Sequence, residues 1–338
     1  MRAVRFNSLK RNERKPNVVN NNKINTMIRR AFLIIFVIGC QIQSYSQSYK
    51  IQDSVKRIVF LGNSITYQGT YIEYIEAYMT INYPERHFEF INMGLPSETV
   101  SGLTEPNHAE GRFPRPDLHE RLDRILSKTK PDLVLACYGM NDGIYMPYDD
   151  NRFEKFKKGI NWLHEEVQKF GVPIIHITPP IYDERKGAAY ANVLDLYSDW
   201  LLSNRYTSNW DVIDIHWPMK KYLEEQRLKD ASFVFAKDGI HPNNIGHFLM
   251  AKYMLLYFSE TELAKATNIE TAFSKCQHGK EILRDVEKRQ RLMKDSWLTW
   301  VGHKRPDMKV GLPMPEALQK SDEIRQHIQI LLKQNKQE

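Results

Sequence analysis

Residues 57–64 read Arg-Ile-Val-Phe-Leu-Gly-Asn-Ser. The apolar run ends at Leu61, and Gly62 and Asn63 separate it from Ser64. Four similar apolar runs follow, at residues 88–92, 132–138, 172–178 and 210–214. Segments with apolar side chains at helical spacing lie between and after them, at residues 67–82, 118–126, 151–169, 187–204 and 243–258. Strands that alternate with helices, and that are apolar throughout, are typical of a parallel sheet covered on both faces. The sequence therefore predicts a three-layer α/β/α domain with about five strands over residues 48–260.

In sheets of this kind, ligands bind outside the carboxyl ends of the strands. Ser64 follows the first predicted strand directly, at a strand-to-helix turn that would expose its hydroxyl. Backbone N–H groups at the start of the next helix could bind an oxyanion there. A serine at this position can also be a simple helix cap, so Ser64 alone does not establish a function.

A second candidate element is Asp238-Gly-Ile-His-Pro242, at a predicted loop-to-helix entry. Asp238 can fold back onto the imidazole of His241, fix its tautomer and stabilise its protonated form. Taken alone, the same pattern could be a turn or half of a metal site. The remaining histidines show no ligand spacing, so the sequence predicts neither a metal nor a cofactor.

Two more elements follow the second and third predicted strands. Asn92-Met-Gly-Leu95 offers the backbone N–H of Gly94, and Tyr138-Gly-Met-Asn-Asp142 offers the side-chain amide of Asn141. Donors of this type stabilise the charge that develops on a tetrahedral intermediate. All four elements fall at the sheet edge at which the fold predicts a site.

In their order along the chain, these elements resemble the four sequence blocks of the SGNH (GDSL-like) hydrolases, in particular exported bacterial carbohydrate esterases. The resemblance covers residues 56–258 and implies a flavodoxin-like α/β/α fold and a serine esterase. It implies Ser64 as nucleophile, His241 as general base and then acid, and Asp238 as the residue that orients His241. The Ser64 N–H, the Gly94 N–H and the Asn141 side chain would form the oxyanion hole. Where the family often has Asp before the serine, this chain has Asn63.

The formal charge of +7 is located mainly in the first 30 residues, which hold nine Lys or Arg and one acid. The rest of the chain is close to neutral, which argues against a nucleic-acid partner. Met27-Ile-Arg-Arg30 is a positively charged start, residues 31–39 are apolar, and Ser44 and Ser46 are small residues at the spacing of a cleavage site, as in an export signal. We expect residues 1–47 to be a leader and signal peptide, with Met27 as an alternative start, and the mature protein to be periplasmic or extracellular.

Val37-Ile-Gly-Cys40 also resembles a bacterial lipoprotein box. A lipid on Cys40 would tether the protein to a membrane, and this is the only membrane contact that the sequence suggests. Whether Cys40 is lipidated or removed with the signal peptide stays open.

The segment 95–116 is long and irregular and begins at the expected oxyanion hole, so it is expected to line the substrate site. The candidate substrate-binding residues are Asn63, Glu98, Arg112, Arg115 and Tyr145. Charged and aromatic groups suit a sugar better than a long acyl chain, which favours small acyl groups, above all acetyl, on an acylated carbohydrate. Arg112 and Arg115 could clamp the carboxylate of an acidic sugar. Lysophospholipase-like or thioesterase activity on lipid esters, and an inactive carbohydrate-binding protein, remain alternatives.

Residues 261–338 are charged and biased towards helix, and form a predicted C-terminal helical extension. An aromatic stretch, Trp297–Pro306, lies within it. Trp297, Trp300 and Val301 have the spacing of a buried helix face, so we expect this stretch to pack on the catalytic domain. A cover over the cleft and a subunit contact are the alternatives, and the oligomeric state stays open.

Overall fold

The computed structural model describes residues 48–334. The predicted leader and signal peptide, with Met27 and Cys40, therefore lies outside the described residues. None of the helices between residues 48 and 334 is both long and apolar enough to cross a membrane.

A sheet of five parallel strands forms the centre of the described region, in the order β2-β1-β3-β4-β5. Their bounds are β1 Arg57–Gly62, β2 Glu89–Asn92, β3 Leu133–Cys137, β4 Ile174–Ile177 and β5 Asp211–Ile213. Strands β2 to β5 lie within the predicted apolar runs. Strand β1 continues one residue beyond its apolar run, to Gly62. The predicted α/β/α fold with a central parallel sheet is confirmed.

Helices follow or flank every strand. Their bounds are α1 Ser64–Gln68, α2 Thr70–Asn82, α3 Leu122–Thr129, α4 Asp150–Lys169, α5 Glu184–Thr207, α6 His216–Arg227, α7 Asn244–Tyr257, α8 Ile269–Ala272, α9 Gly279–Val301 and α10 Met314–Gln334. Short 3₁₀ segments lie at His108–Gly111, Leu118–Glu120 and Thr261–Lys265. The predicted helix over residues 67–82 is two helices, because Gly69 has a left-handed conformation with a φ of 84°.

The core is built on the central strands. Val59, Phe60 and Leu61 of β1 are fully buried, and every residue of β3 is buried. Burial on both faces is possible because helices pack on each side of the sheet, which leaves no face of β1 or β3 for water. In this register Phe60 lies beside Asn92, and Gly62 lies beside Cys137. The carboxyl ends of β1, β2 and β3 therefore meet at one edge.

The C-terminal segment packs directly against this domain. Helix α9 contacts α2 and β2, and its Gln290 side chain donates to the backbone oxygen of Phe90 over 2.8 Å. Arg289 forms a buried ion pair with Glu76 of α2. Trp297 and Val301 are buried, whereas Trp300 stays 43% exposed and lies under the ammonium of Lys128. The aromatic stretch thus packs on the domain with only part of its predicted face.

Candidate active site

Ser64 is the first residue of α1, at the carboxyl end of β1. Asn63 caps this helix, because its Oδ1 accepts a hydrogen bond from the Ile65 N–H over 3.1 Å. The Ser64 side chain is partly exposed, whereas Asn63 is only 3% exposed. The structure therefore corrects the prediction that Asn63 binds substrate: its side chain is used to hold the helix start beneath Ser64.

Ser64, His241 and Asp238 lie in one hydrogen-bonded row. The Ser64 Oγ is 2.8 Å from the His241 Nε2, and the His241 Nδ1 is 2.6 Å from the Asp238 Oδ2. The loop 238–241 carries both partners, so the Asp238–His241 contact is local, while Ser64 is 177 positions away in sequence. In this geometry an imidazole can take the proton from a serine hydroxyl while a carboxylate fixes its tautomer.

Asp238 is fixed by its own loop as well as by His241. Its Oδ1 accepts hydrogen bonds from the backbone N–H groups of Ile240 and His241, each over 2.9 Å. Partial burial acts to raise the pKa of Asp238, but the hydrogen bonds from His241 and from these two N–H groups outweigh it and hold the pKa below the usual value. The carboxylate therefore stays ionised at neutral pH beside the imidazole.

Gly94 does not offer a free N–H group. Its N–H donates to the Asn92 Oδ1 over 2.9 Å, and the Asn92 Nδ2 donates to the Thr66 oxygen over 2.7 Å. A Cβ atom on Gly94 would lie 2.3 Å from the Tyr67 nitrogen. Glycine is therefore needed here so that the exit of β2 can pack closely on α1. The predicted role of Gly94 as an oxyanion donor is wrong in this geometry, because its N–H is already used.

A better-placed backbone donor follows three residues later. Leu95–Glu98 form a turn in which the Glu98 N–H donates to the Leu95 oxygen over 3.1 Å. Pro96 takes the second position and Ser97 the third, where its φ of 68° is left-handed. The Ser97 N–H has no acceptor among residues 48–334, and Ser97 is partly exposed. Ser97 was not predicted from the sequence, because serine, unlike glycine, does not indicate a backbone position with left-handed φ.

Asn141 lies next to this turn. Its Nδ2 donates to the Glu98 oxygen over 3.0 Å, and its Oδ1 accepts from the Tyr145 hydroxyl over 2.9 Å. The hydroxyl fixes which way the amide points, so the nitrogen faces residue 98. An amide nitrogen carries two hydrogens, so one remains for a ligand. Tyr145 therefore contacts the site through Asn141.

Asp142 joins the two loops that carry these donors. Its Oδ1 accepts from the N–H groups of Val100 and Ser101, over 2.8 and 2.9 Å, and its Oδ2 accepts from the Gly139 N–H over 2.8 Å. The side chain is completely buried, and burial raises its pKa against the effect of these hydrogen bonds. Asp142 thus fixes the loop after β3 to the loop after β2.

Glu98 is not available to a substrate. It is fully buried and forms a two-pronged ion pair with Arg121, in which Nε–Oε1 is 2.6 Å and Nη2–Oε2 is 2.7 Å. The Tyr138 hydroxyl donates to the same carboxylate over 2.6 Å. The predicted substrate-binding role of Glu98 is therefore wrong, and its side chain holds the substrate-side loop onto the domain from inside.

The two arginines of the segment 95–116 do not converge. Arg115 is buried, and its Nε and Nη2 donate to the two carboxylate oxygens of Glu105 over 2.6 and 2.7 Å. Arg112 is exposed and lies 3.3 Å from Asp307. The hypothesis that both clamp one carboxylate is therefore wrong, because Arg115 already has a carboxylate partner.

Within the part of the chain that the structure describes, no group of three or more His, Cys, Asp or Glu side chains is arranged to hold a metal ion. Cys137 and Cys276 are both buried and unpaired.

A family model for GDSL-like lipases and acylhydrolases matches residues 60–249. This range begins in β1 and ends in α7, so it includes Ser64, Asn141 and the loop 238–241. No curated protein is significantly similar to the chain in sequence.

Solved structures with the same fold include a gut microbial diltiazem-metabolizing enzyme. It is 23% identical with a TM-score of 0.50, and the match covers 63% of this chain and 49% of that one. This chain thus spans about half the length of that enzyme. A variant of Axe2, an acetyl-xylooligosaccharide esterase from Geobacillus stearothermophilus, is 20% identical with a TM-score of 0.50, over 62% of this chain and 96% of that one. At these identities the likeness shows the fold alone.

The family model covers more than half of the chain, and the expected SGNH (GDSL-like) resemblance is confirmed. The protein therefore belongs to the GDSL-like lipase/acylhydrolase family and is a carboxylic ester hydrolase.

Proposed function

We propose that this esterase is an exported enzyme that removes small acyl groups, above all acetyl, from a carbohydrate substrate through a Ser64–His241–Asp238 triad. The observation that carries the proposal is the continuous row of two hydrogen bonds, 2.8 Å from the Ser64 Oγ to His241 and 2.6 Å from His241 to Asp238. A serine hydroxyl is a weak nucleophile by itself, and an adjacent oriented base is the usual means of activating it.

In the first half of the reaction, the Ser64 Oγ attacks the ester carbonyl carbon while the His241 Nε2 takes its proton. The carbonyl oxygen becomes an oxyanion. When the tetrahedral intermediate collapses, the bond to the sugar oxygen breaks, and His241 returns the proton to that oxygen. Asp238 holds the imidazole and stabilises its charged form throughout. The acyl group is left as an ester on Ser64.

In the second half, His241 takes a proton from water, and the resulting hydroxide oxygen attacks the acyl carbon. Collapse of this intermediate releases the carboxylic acid and returns the proton to Ser64. The same three side chains serve both halves.

The Ser64 N–H, the Ser97 N–H and the free hydrogen of the Asn141 amide are the proposed oxyanion donors. Ser64 N–H is the first of α1 and therefore has no acceptor within the helix. Ser97 and Asn141 meet at residue 98, whose oxygen accepts from the Asn141 Nδ2 over 3.0 Å. Each donor of this kind contributes about 3 kcal/mol to the transition state.

The surroundings of the site support a polar, ring-shaped substrate. The aromatic rings of Tyr67 and Phe113 are partly exposed, and cationic side chains lie against them, with the Lys294 Nζ 3.9 Å from the Tyr67 centroid and the Arg305 guanidinium 5.2 Å from that of Phe113. Amphipathic faces of this kind suit a sugar, which has both apolar faces and hydroxyl edges. The comparison esterase from Geobacillus is described as acting on acetylated xylooligosaccharides, and we propose the same broad substrate class here.

Export is the second part of the proposal and rests on residues 27–46 alone. A basic start, an apolar centre and small residues at the end are the pattern of a signal peptide, so the mature esterase would meet polysaccharide outside the cytoplasm. A lipid on Cys40 would keep it at the membrane surface.

Purified wild type and Ser64→Ala should be compared on p-nitrophenyl acetate, butyrate and octanoate, and then on acetylated polysaccharide with acetate release as the readout. Ser127→Ala, an exposed serine on α3, is the matched control. We expect Ser64→Ala to lose at least about 10³-fold in kcat while Ser127→Ala keeps full activity. Equal turnover by Ser64→Ala would contradict the triad, and preference for octanoate would replace the carbohydrate with a lipid ester.

A further inference from the structure

The turn Leu95–Glu98 is held by its carbonyl oxygens. Each of them accepts a hydrogen bond: Leu95 from the Glu98 N–H over 3.1 Å, Pro96 from the Arg305 Nε over 3.1 Å, Ser97 from the Arg115 Nη1 over 3.4 Å, and Glu98 from the Asn141 Nδ2 over 3.0 Å. All four carbonyl oxygens of the turn therefore accept hydrogen bonds from other groups of the protein. The Ser97 N–H, in contrast, has no acceptor among residues 48–334.

The hydrogen bond to the Pro96 oxygen acts directly on the Ser97 N–H. The two groups belong to one planar trans peptide unit, so they point in opposite directions. A donor that fixes the direction of the Pro96 oxygen also fixes the direction of the Ser97 N–H. A positively charged donor additionally polarises the peptide, which makes its N–H a stronger donor on the other side.

We infer that Arg305 is a positioning residue for the oxyanion hole, which it aligns and polarises through the Pro96–Ser97 peptide. The inference rests on the proposed function, because it gives the Ser97 N–H the role of an oxyanion donor. It also assigns a role to the C-terminal segment, which the family model does not cover. That segment places the cation of Arg305 on the Pro96 oxygen, on the side of the peptide opposite to the Ser97 N–H. In this role Arg305 does not contact the substrate carbonyl.

Arg305 is held in the orientation that this role needs. Its Nη1 donates to the Pro306 oxygen over 2.9 Å and contacts the Met308 Sδ at 3.1 Å, and its guanidinium lies on the Phe113 ring. It is half-buried and forms no ion pair with any residue between 48 and 334. Asp307 acts on this charge only from beyond ion-pair distance and pairs with Arg112, so Arg305 has no carboxylate partner of its own, and its Nε donates to the Pro96 oxygen.

The same segment also holds the helix that carries the nucleophile. The Lys294 Nζ donates to the Tyr67 oxygen over 2.8 Å, near the end of α1. Residues 294 and 305 thus contact the backbone on the two sides of the oxyanion hole, α1 with the Ser64 N–H and the turn with the Ser97 N–H. A role in fixing the distance between these donors follows from that arrangement.

The test compares Arg305→Leu and Arg305→Lys with Arg284→Leu, in otherwise full-length esterase. Arg284 is the matched control, because it is an exposed arginine of the same C-terminal segment, on α9, and lies outside the turn and the candidate site. For each variant, kcat and KM on p-nitrophenyl acetate, the melting temperature, and the inhibition constant of an arylboronic acid would be measured. A boronic acid adds to the serine and forms a tetrahedral adduct with an oxygen in the oxyanion hole, so it reports on the hole directly.

We expect Arg305→Leu to lower kcat by about 10-fold, since the donor is kept but is less well aligned, whereas loss of a donor costs about 10²–10³-fold. The inhibition constant should rise by a similar factor, KM should change less than about 2-fold, and Arg305→Lys should recover part of the loss. Arg284→Leu should match wild type in kcat, KM and the inhibition constant. A loss of thermal stability alone would move the melting temperature and leave the constants of the folded enzyme unchanged.

The inference is overturned if Arg305→Leu keeps kcat and boronic-acid affinity within 2-fold of wild type while Ser64→Ala is inactive, or if Arg284→Leu loses as much as Arg305→Leu. In that case the triad stands and only the role of Arg305 fails. If Ser64→Ala instead retains wild-type turnover, the proposed function itself fails, whatever Arg305 does.

Discussion

The imidazole of His241 lies 2.6 Å from the carboxylate of Asp238, and both residues belong to one short loop. Two backbone N–H groups of the same loop bind the other carboxylate oxygen. The orientation of the imidazole is therefore set by contacts within this loop and does not depend on Ser64. The Asp238 side chain is 51% exposed, so this contact adds little to the stability of the fold.

Replacing Asp238 should separate activity from stability. We expect Asp238→Asn to lower kcat by about 10³–10⁴-fold, because an amide favours the wrong tautomer of His241 and cannot stabilise its charged form. The melting temperature should change little. Since the pKa of Asp238 is held below its usual value, the defect should be present at every pH from 5 to 8. Kinetics on p-nitrophenyl acetate with Asp123→Asn, an exposed aspartate on α3, as control would check this. A loss of less than about 10-fold would count against the triad.

The Asn141 amide should matter more than the hydroxyl that orients it. We expect Asn141→Ala to reduce kcat by about 10²–10³-fold, as for other oxyanion-hole side chains, with a smaller change in KM. Tyr145→Phe removes only the hydrogen bond to the Asn141 Oδ1 and should cost no more than about 5-fold. The two variants can be compared by steady-state kinetics on p-nitrophenyl acetate. If Asn141→Ala cost no more than Tyr145→Phe is expected to, about 5-fold, the amide would not be an oxyanion donor.

The strands and most helices could be predicted from the sequence because their signals are local. Each strand is an apolar run bounded by polar residues or glycine, and three of the four chemical elements begin where such a run ends. The fourth, Asp238–Pro242, lies just before α7. Helix α6 was not predicted, since His216-Trp-Pro218 begins it without an apolar pattern, although proline is tolerated in a first turn. The prediction of the fold therefore depended mostly on the spacing of apolar residues, which can be read directly from the sequence.

The errors at the site concern hydrogen bonds and ion pairs of side chains, which the sequence does not mark. Glu98 and Arg121 are 23 positions apart, and charged residues are normally exposed, so their buried pair has no local signal. Whether the Gly94 N–H is free depends on the orientation of the Asn92 side chain. Whether the Arg115 guanidinium is free depends on its contact with Glu105. These contacts decide which groups remain free for a ligand, and only the three-dimensional structure contains them.

The Glu98–Arg121 pair predicts a stability effect rather than a binding effect. Arg121→Leu should lower the free energy of unfolding by about 3–5 kcal/mol, because it leaves the Glu98 carboxylate buried without its partner. The double variant with Glu98→Gln should recover part of that loss. Lys169→Leu breaks an exposed pair with Glu166 and should leave the urea midpoint nearly unchanged. Urea unfolding followed by fluorescence would measure all three. An unchanged urea midpoint for Arg121→Leu would refute the structural role.

Glu73 of α2 predicts a pH dependence of stability. Its side chain is 5% exposed and faces α9, where the nearest cation, Arg291, is 3.9 Å away. Burial, followed by repulsion from Glu287, raises the pKa of Glu73 to about 7. A raised pKa in the folded state means that its contribution is most favourable below the unfolded value and is lost as the pH rises through 7. Glu73→Gln should therefore stabilise the protein by about 2 kcal/mol at pH 8 and hardly at all at pH 4. Thermal unfolding at both pH values would measure this, with Glu323→Gln as an exposed control that should leave the melting temperature nearly unchanged. An equal gain from Glu323→Gln at pH 8 would show a general effect of net charge instead of the burial of Glu73.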